Sequence, residues 1–222
     1  MDSNVQDKIF DFAYYEALND ATLQGAYLGS KEDVRKIDAV KDIVKKYVDK
    51  IINGKEEYSF DDTVKEIEIE LENHNIITRK KDEDADLRYI FGFGNIQKLI
   101  NMTVKYIFVG CYSNNTLRES FAKCHCPMDN EMIKIVYREY NKLADKEEEL
   151  LITQRKGDKK YFGISNICWS KIDFEITDDK TSKAIYDNFQ EMVKRLCEEK
   201  ESVLPIEYDF WKHGTERDCP MQ

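Results

Sequence analysis

The chain has 222 residues, 41% of them hydrophobic, enough to enclose one sizeable core. Charged residues reach 35% and the net charge is −10, which argues against a protein that coats nucleic acid without specificity. No run approaches the roughly 18 apolar residues of a membrane span, and Met1-Asp2-Ser3-Asn4 lacks the regions of a secretory signal. A soluble, cytoplasmic protein with no membrane contact, favouring a monomer, is the expectation.

With only 3 Pro and 9 Gly, and no convincing alternation of apolar and polar residues, the pattern predicts a mostly helical chain. The first predicted helix carries Ile9, Phe10, Ala13, Tyr14 and Ala17. Ser30 followed by Asp33 reads as a capping box, opening a run through Val34, Ile37, Val40, Val44, Tyr47, Val48 and Ile51. Ser59 precedes a third helix with Val64, Ile67 and Leu71, and the polar stretch Asn73 to Asp86 reads as a loop containing Arg79-Lys80-Lys81.

Phe91-Gly92-Phe93-Gly94-Asn95 reads as a non-helical, glycine-bearing hairpin. Beyond it, Ile96, Leu99, Ile100, Thr103, Val104, Ile107 and Phe108 recur at helical spacing, and Lys98 falls in the first turn away from that stripe. Asn101 and Lys105 share its flank, which predicts a polar, cationic side facing solvent or a cleft. A loop with Ser113-Asn114-Asn115 follows. Cys126-Pro127-Met128-Asp129 then opens a helix marked by Ile133, Val136, Tyr137 and Tyr140.

Past Thr153 the pattern weakens. Lys160 to Ile164 reads as a short strand or an irregular loop, next to a second basic cluster of Arg155, Lys156, Lys159 and Lys160. A late helix after Asp178 carries Ile185, Phe189, Met192, Val193 and Leu196, and Leu204-Pro205 precedes a short one around Tyr208 to Trp211. The fold class is all-α, a single domain over residues 1–222 with two helical lobes.

The six cysteines, 111, 124, 126, 168, 197 and 219, form no CxxC pair, and Cys124-His125-Cys126 lacks the spacing of a zinc knuckle. No metal, iron–sulfur cluster or organic cofactor is expected.

Two side chains carry the chemistry. A lysine amine becomes nucleophilic when desolvation or a neighbouring cation lowers its pKa, and Lys98 has Lys105 along the same flank. Asp129 stands where an N-cap belongs, so backbone N–H groups and the helix dipole would hold it ionised. A carboxylate so fixed can stabilise a cationic sugar-like intermediate or deprotonate an attacking amine or water.

The series from Gly92-Phe93-Gly94 through Lys98 to Cys126-Pro127-Met128-Asp129 resembles the helix–hairpin–helix DNA glycosylases. Their signature is a glycine-bearing hairpin, a lysine shortly after it, and an apolar-Pro-apolar-Asp cap on a following helix. The long interval before the aspartate makes the archaeal 8-oxoguanine DNA glycosylases a closer resemblance than the bacterial endonuclease III type. The resemblance implies a helix–hairpin–helix element over about residues 86–112 at the cleft between the lobes. It further implies a DNA-binding hairpin of Gly92, Phe93, Gly94 and Asn95 and a modified base flipped out of duplex DNA. Asp129 would assist cleavage of the N-glycosidic bond, and in a bifunctional enzyme with AP-lyase activity Lys98 would attack C1′. Lys98 lies later after Gly94 than in the family's usual hairpin. Phe91, Asn101, His125 and Trp169 are the expected base-pocket residues, Trp211 being a further aromatic. The base is an oxidised purine by resemblance, or a bulky modified pyrimidine if the enzyme serves antiviral defence rather than repair.

Two rival readings remain at this level. Arg118 and His125, with six residues between them, fit the loose spacing of HEPN-type ribonucleases, in which the arginine binds phosphate and the histidine handles protons. A non-enzymatic acidic helical partner of another protein agrees with the net charge.

Overall fold

Apolar residues spaced by three and four along the first helix share one face, and that face is what folding buries. In the computed structural model α1 runs Ser3–Thr22 and buries Phe10, Ala13, Tyr14, Ala17, Leu18 and Ala21. The structure describes residues 3–23, 26–53, 59–79, 89–110, 120–121, 124–145, 153–156, 159–162, 169–171 and 182–197. These are mostly helical, and the chain divides into two compact units, Met1–Phe121 and Ala122–Gln222.

In the first unit α2 (Lys31–Ile37) begins with the capping box read from the sequence. Ser30 Oγ accepts the Asp33 N–H at 3.1 Å, and the Asp33 carboxylate accepts the Ser30 N–H at 2.9 Å. A 3-10 turn, Asp38–Val40, leads into α3 (Lys41–Ile52). Lys41 and Lys45 of α3 pair with Asp11 (2.9 Å) and Asp7 (3.4 Å) of α1, and Lys41 also lies over the Tyr15 ring. Pairs this accessible contribute at most about 1 kcal/mol each, so they set register more than stability.

Ser59 caps α4 (Phe60–Asn73), whose Val64, Ile67 and Leu71 are buried. Asn75 ends it in the left-handed region (φ 61°). That turn lets the Ile76 N–H reach Leu71 O and the Asn75 N–H reach Glu72 O, which satisfies two carbonyls of the last turn.

The centre of this unit is α5 (Phe93–Gly110), packed chiefly against α1 and also against α4. From Ile90 to Val104 every residue is buried except Lys98, which is half-buried. A helix enclosed nearly all round lies inside a bundle, and each fully buried Ile or Leu contributes about 1.5–3 kcal/mol.

This corrects the expected hairpin. Phe93, Gly94 and Asn95 are the first turn of α5, so Lys98 falls in the second turn. Gly94, the hairpin glycine that lies within the helix, costs about 1 kcal/mol of helix propensity, and burial of the whole segment outweighs that cost. Asn95 Nδ2 donates to Ala21 O (2.8 Å) and Ala26 O (3.3 Å), satisfying a carbonyl that α1 leaves without an intrahelical partner at its end. Ahead of the helix, the Phe91 N–H donates to Ile77 O at 2.9 Å.

In the second unit α6 (Asn130–Tyr140) packs against α7 (Ser182–Leu196). Met132, Ile133, Val136 and Tyr140 are buried from the first, and Ile185, Tyr186, Phe189, Met192 and Val193 from the second. Between them lies an antiparallel ribbon of β1 (Thr153–Lys156) and β2 (Lys159–Phe162), so the segment left open between strand and loop begins as a strand. Its register sets Arg155 opposite Lys160 and Lys156 opposite Lys159.

The helices carrying Lys98 and following Asp129, read from the sequence as one central pair, belong to different units. Ser113 to Asn115, Arg118 and the expected helix at Tyr208 to Trp211 lie outside the described residues. Among the described residues, no helix is long and apolar enough to cross a membrane.

Candidate functional site

Asp129 is built into the start of α6. Its backbone is extended (φ −128°, ψ 174°), and Oδ1 accepts the N–H groups of Glu131 (3.0 Å) and Met132 (2.9 Å). Those are among the donors every helix leaves unsatisfied at its N-terminus. The residue is half-buried, following Cys126, Pro127 and Met128, all three buried. The carboxylate is therefore a fixed group that meets solvent.

The loop leading to it is held from α7. The Cys126 N–H donates to Gln190 Oε1 at 3.0 Å, and Gln190 Nε2 donates back to Cys126 O at 2.7 Å. One turn earlier on α7, the Tyr186 hydroxyl lies 2.8 Å from His125 Nδ1, with the two rings tilted at 60°. His125 is half-buried in a loop, so it presents a ring edge oriented by a buried tyrosine.

Cys124 is buried, and desolvation pushes its thiol up to about 12, which makes it a poor nucleophile and metal ligand. Among the described residues no group of three or more His, Cys, Asp or Glu side chains converges on a metal position. Trp169 and Ser170 are buried in the 3-10 turn Trp169–Lys171.

In the first unit Lys98 interrupts an otherwise buried stretch of α5. Its expected neighbour Asn101 is not on an exposed polar flank. It is 1% exposed, and its Nδ2 donates to Gln97 Oε1 at 3.2 Å, while Gln97 Nε2 donates to Gly94 O at 3.0 Å. These amides form an internal ladder along α5, because a helix enclosed on nearly every side has to satisfy its polar side chains within itself.

Phe91, expected in a base pocket, is wholly buried and packs edge-on against Tyr27 with ring centroids 5.6 Å apart. Gly92, Phe93, Gly94 and Asn95, expected to hold DNA, are all buried, and the Asn95 amide points inward to Ala21 and Ala26. The structure thus groups His125, Asp129, Tyr186 and Gln190 in the second unit and places Lys98 in the first. The sequence reading missed Gln190 and Tyr186. The one available signal was a glutamine placed one turn after Tyr186 beside the apolar stripe of α7.

No family model, no curated protein and no solved structure matches the chain.

Proposed function

We propose that the protein is a DNA glycosylase that cleaves the N-glycosidic bond of a modified base flipped out of duplex DNA. The observation that carries this reading is Asp129: a half-buried carboxylate, fixed by two backbone N–H bonds after a buried proline, at the position where the glycosylase motif has its aspartate. As the C1′–N bond breaks, the base leaves with the bonding electron pair. The sugar becomes cationic at C1′, where a fixed carboxylate lowers the barrier electrostatically. Attack by water at C1′, with loss of a proton, completes hydrolysis.

Lys98 supports a second course. Its side chain is the single half-buried one in a buried stretch of α5. In that course the Lys98 nitrogen would bond to C1′ as the C1′–base bond breaks and the base leaves with the electron pair, and loss of the amine protons with opening of the sugar ring would give a Schiff base that permits strand cleavage. The basic cluster of Arg155, Lys156, Lys159 and Lys160 supports a polyanionic partner such as DNA in a chain that is otherwise acidic. The buried segment Gly92 to Asn95 has no part in this reading.

The test is borohydride trapping on duplex oligonucleotides carrying a panel of modified bases or an abasic site. Base release lost in Asp129→Asn, with a covalent adduct lost in Lys98→Ala, is the expected result. Release without any adduct assigns a monofunctional enzyme using water. Undiminished release by Asp129→Asn refutes the mechanism.

A further inference from the structure

We infer that Gln190 is the positioning residue that fixes the Asp129 carboxylate, an assignment that rests on the glycosylase reading for its catalytic consequence. A single side-chain amide pairs with both peptide groups of Cys126, accepting from its N–H at 3.0 Å and donating to its C=O at 2.7 Å. This is the pairing a neighbouring strand would give, supplied here by a helix 64 residues away in sequence. From Cys126 to Asp129 the chain then has little freedom left. Pro127 has its φ fixed by its ring, Met128 is fully buried, and Asp129 is tied to the Glu131 and Met132 amides. Tyr186, four residues before Gln190 and so on the same face of α7, holds the His125 ring at 2.8 Å. The carboxylate is bonded by the first amides of α6, the loop before it is held from α7 at His125 and Cys126, and of these anchors Gln190 bonds to both peptide groups of a single loop residue.

The test uses the full chain with Gln190→Met, which keeps the length and removes both bonds, and Gln190→Glu, which keeps the acceptor and removes the donor at neutral pH. Two readouts are taken. Amide hydrogen exchange at Glu131 and Met132 reports the capping bonds whatever the protein does. The proposal expects exchange at least about tenfold faster in Gln190→Met, with a smaller change in Gln190→Glu. Unchanged exchange in both variants overturns it.

Steady-state base release at varied substrate concentration reports the catalytic consequence. A fall of about tenfold or more in kcat, with KM within about twofold, is expected from misplacing a catalytic group. Unchanged kcat in a wild-type-active protein overturns the positioning role. Wild type that releases no base from any oligonucleotide refutes the glycosylase reading instead, and the exchange measurement still decides whether Gln190 fixes Asp129. If Gln190→Met fails to fold, both readouts are taken on Gln190→Glu, for which a smaller but measurable change is expected and unchanged exchange overturns the proposal.

Discussion

Replacing Asp129 separates a structural role from a chemical one. In Asp129→Ala the Glu131 and Met132 N–H groups lose the Oδ1 acceptor that takes them at 3.0 and 2.9 Å. Loss of an N-cap of this kind costs about 1 kcal/mol, within a range of about 0.5–2. The interaction of the charge with the N-terminus of α6 adds about 0.3–1 kcal/mol. Asp129→Asn keeps a carbonyl oxygen where Oδ1 stands, so it loses only that second, smaller contribution. Trp169 is buried in the second unit, so its fluorescence during urea unfolding follows the unit that contains α6. The expected order of midpoints is wild type, then Asp129→Asn, then Asp129→Ala, at constant slope. The alanine variant should melt about 4–8 °C lower for each kcal/mol lost in a unit of this size. Base release should instead vanish in both variants. Equal destabilisation by Asn and Ala would refute the capping geometry. Full base release by the near-normally stable Asn variant would refute the mechanism.

Other consequences follow from buried polar groups. Asn95→Ala removes the donor shared by Ala21 O and Ala26 O and should cost about 1–3 kcal/mol. Asn95→Asp sets a buried charge against those carbonyls and should cost about 3–5 kcal/mol. Thermal melts by far-ultraviolet circular dichroism measure both, and an aspartate variant melting with the wild type would show that the Asn95 amide does not face inward. The Cys124 thiol, pushed up to about 12 by burial, stays neutral in the folded chain at pH values where the unfolded chain has already ionised. The unfolded state therefore binds fewer protons across this window, and stability falls as pH rises from about 9 to 12. Cys124→Ala should flatten that alkaline loss in tryptophan-monitored urea titrations, and an unchanged slope would contradict burial of the thiol.

Local signals in the sequence carried most of the helices. Ser30, Ser59 and Asp129 cap through bonds to residues two or three positions ahead, so the pattern and its partner fit in one short window. The period of the apolar residues likewise named the buried faces of α1, α4, α6 and α7, because a helix face is fixed by spacing alone. The hairpin expected at Gly92 to Asn95 failed for the converse reason. Glycine content is a weak local preference against a helix, and the packing of α5 against α1 and α4 overrode it. With that packing, Asn95, Gln97 and Asn101 turned inward, although the pattern set Asn101 on a polar flank beside Lys98.

What the sequence by itself determined is therefore a mostly helical chain, the caps, and Lys98 and Asp129 as the residues worth testing. Only the tertiary structure decided that α5 is enclosed nearly all round and that the chain divides after Phe121. Likewise, only the fold showed that Asn95 reaches a carbonyl 74 residues back and that Gln190 holds a peptide 64 residues away. The physical reason is range. A cap closes a ring of a few atoms and leaves its mark in adjacent residues, whereas a side chain that satisfies a distant backbone group finds its partner only after the helices have packed.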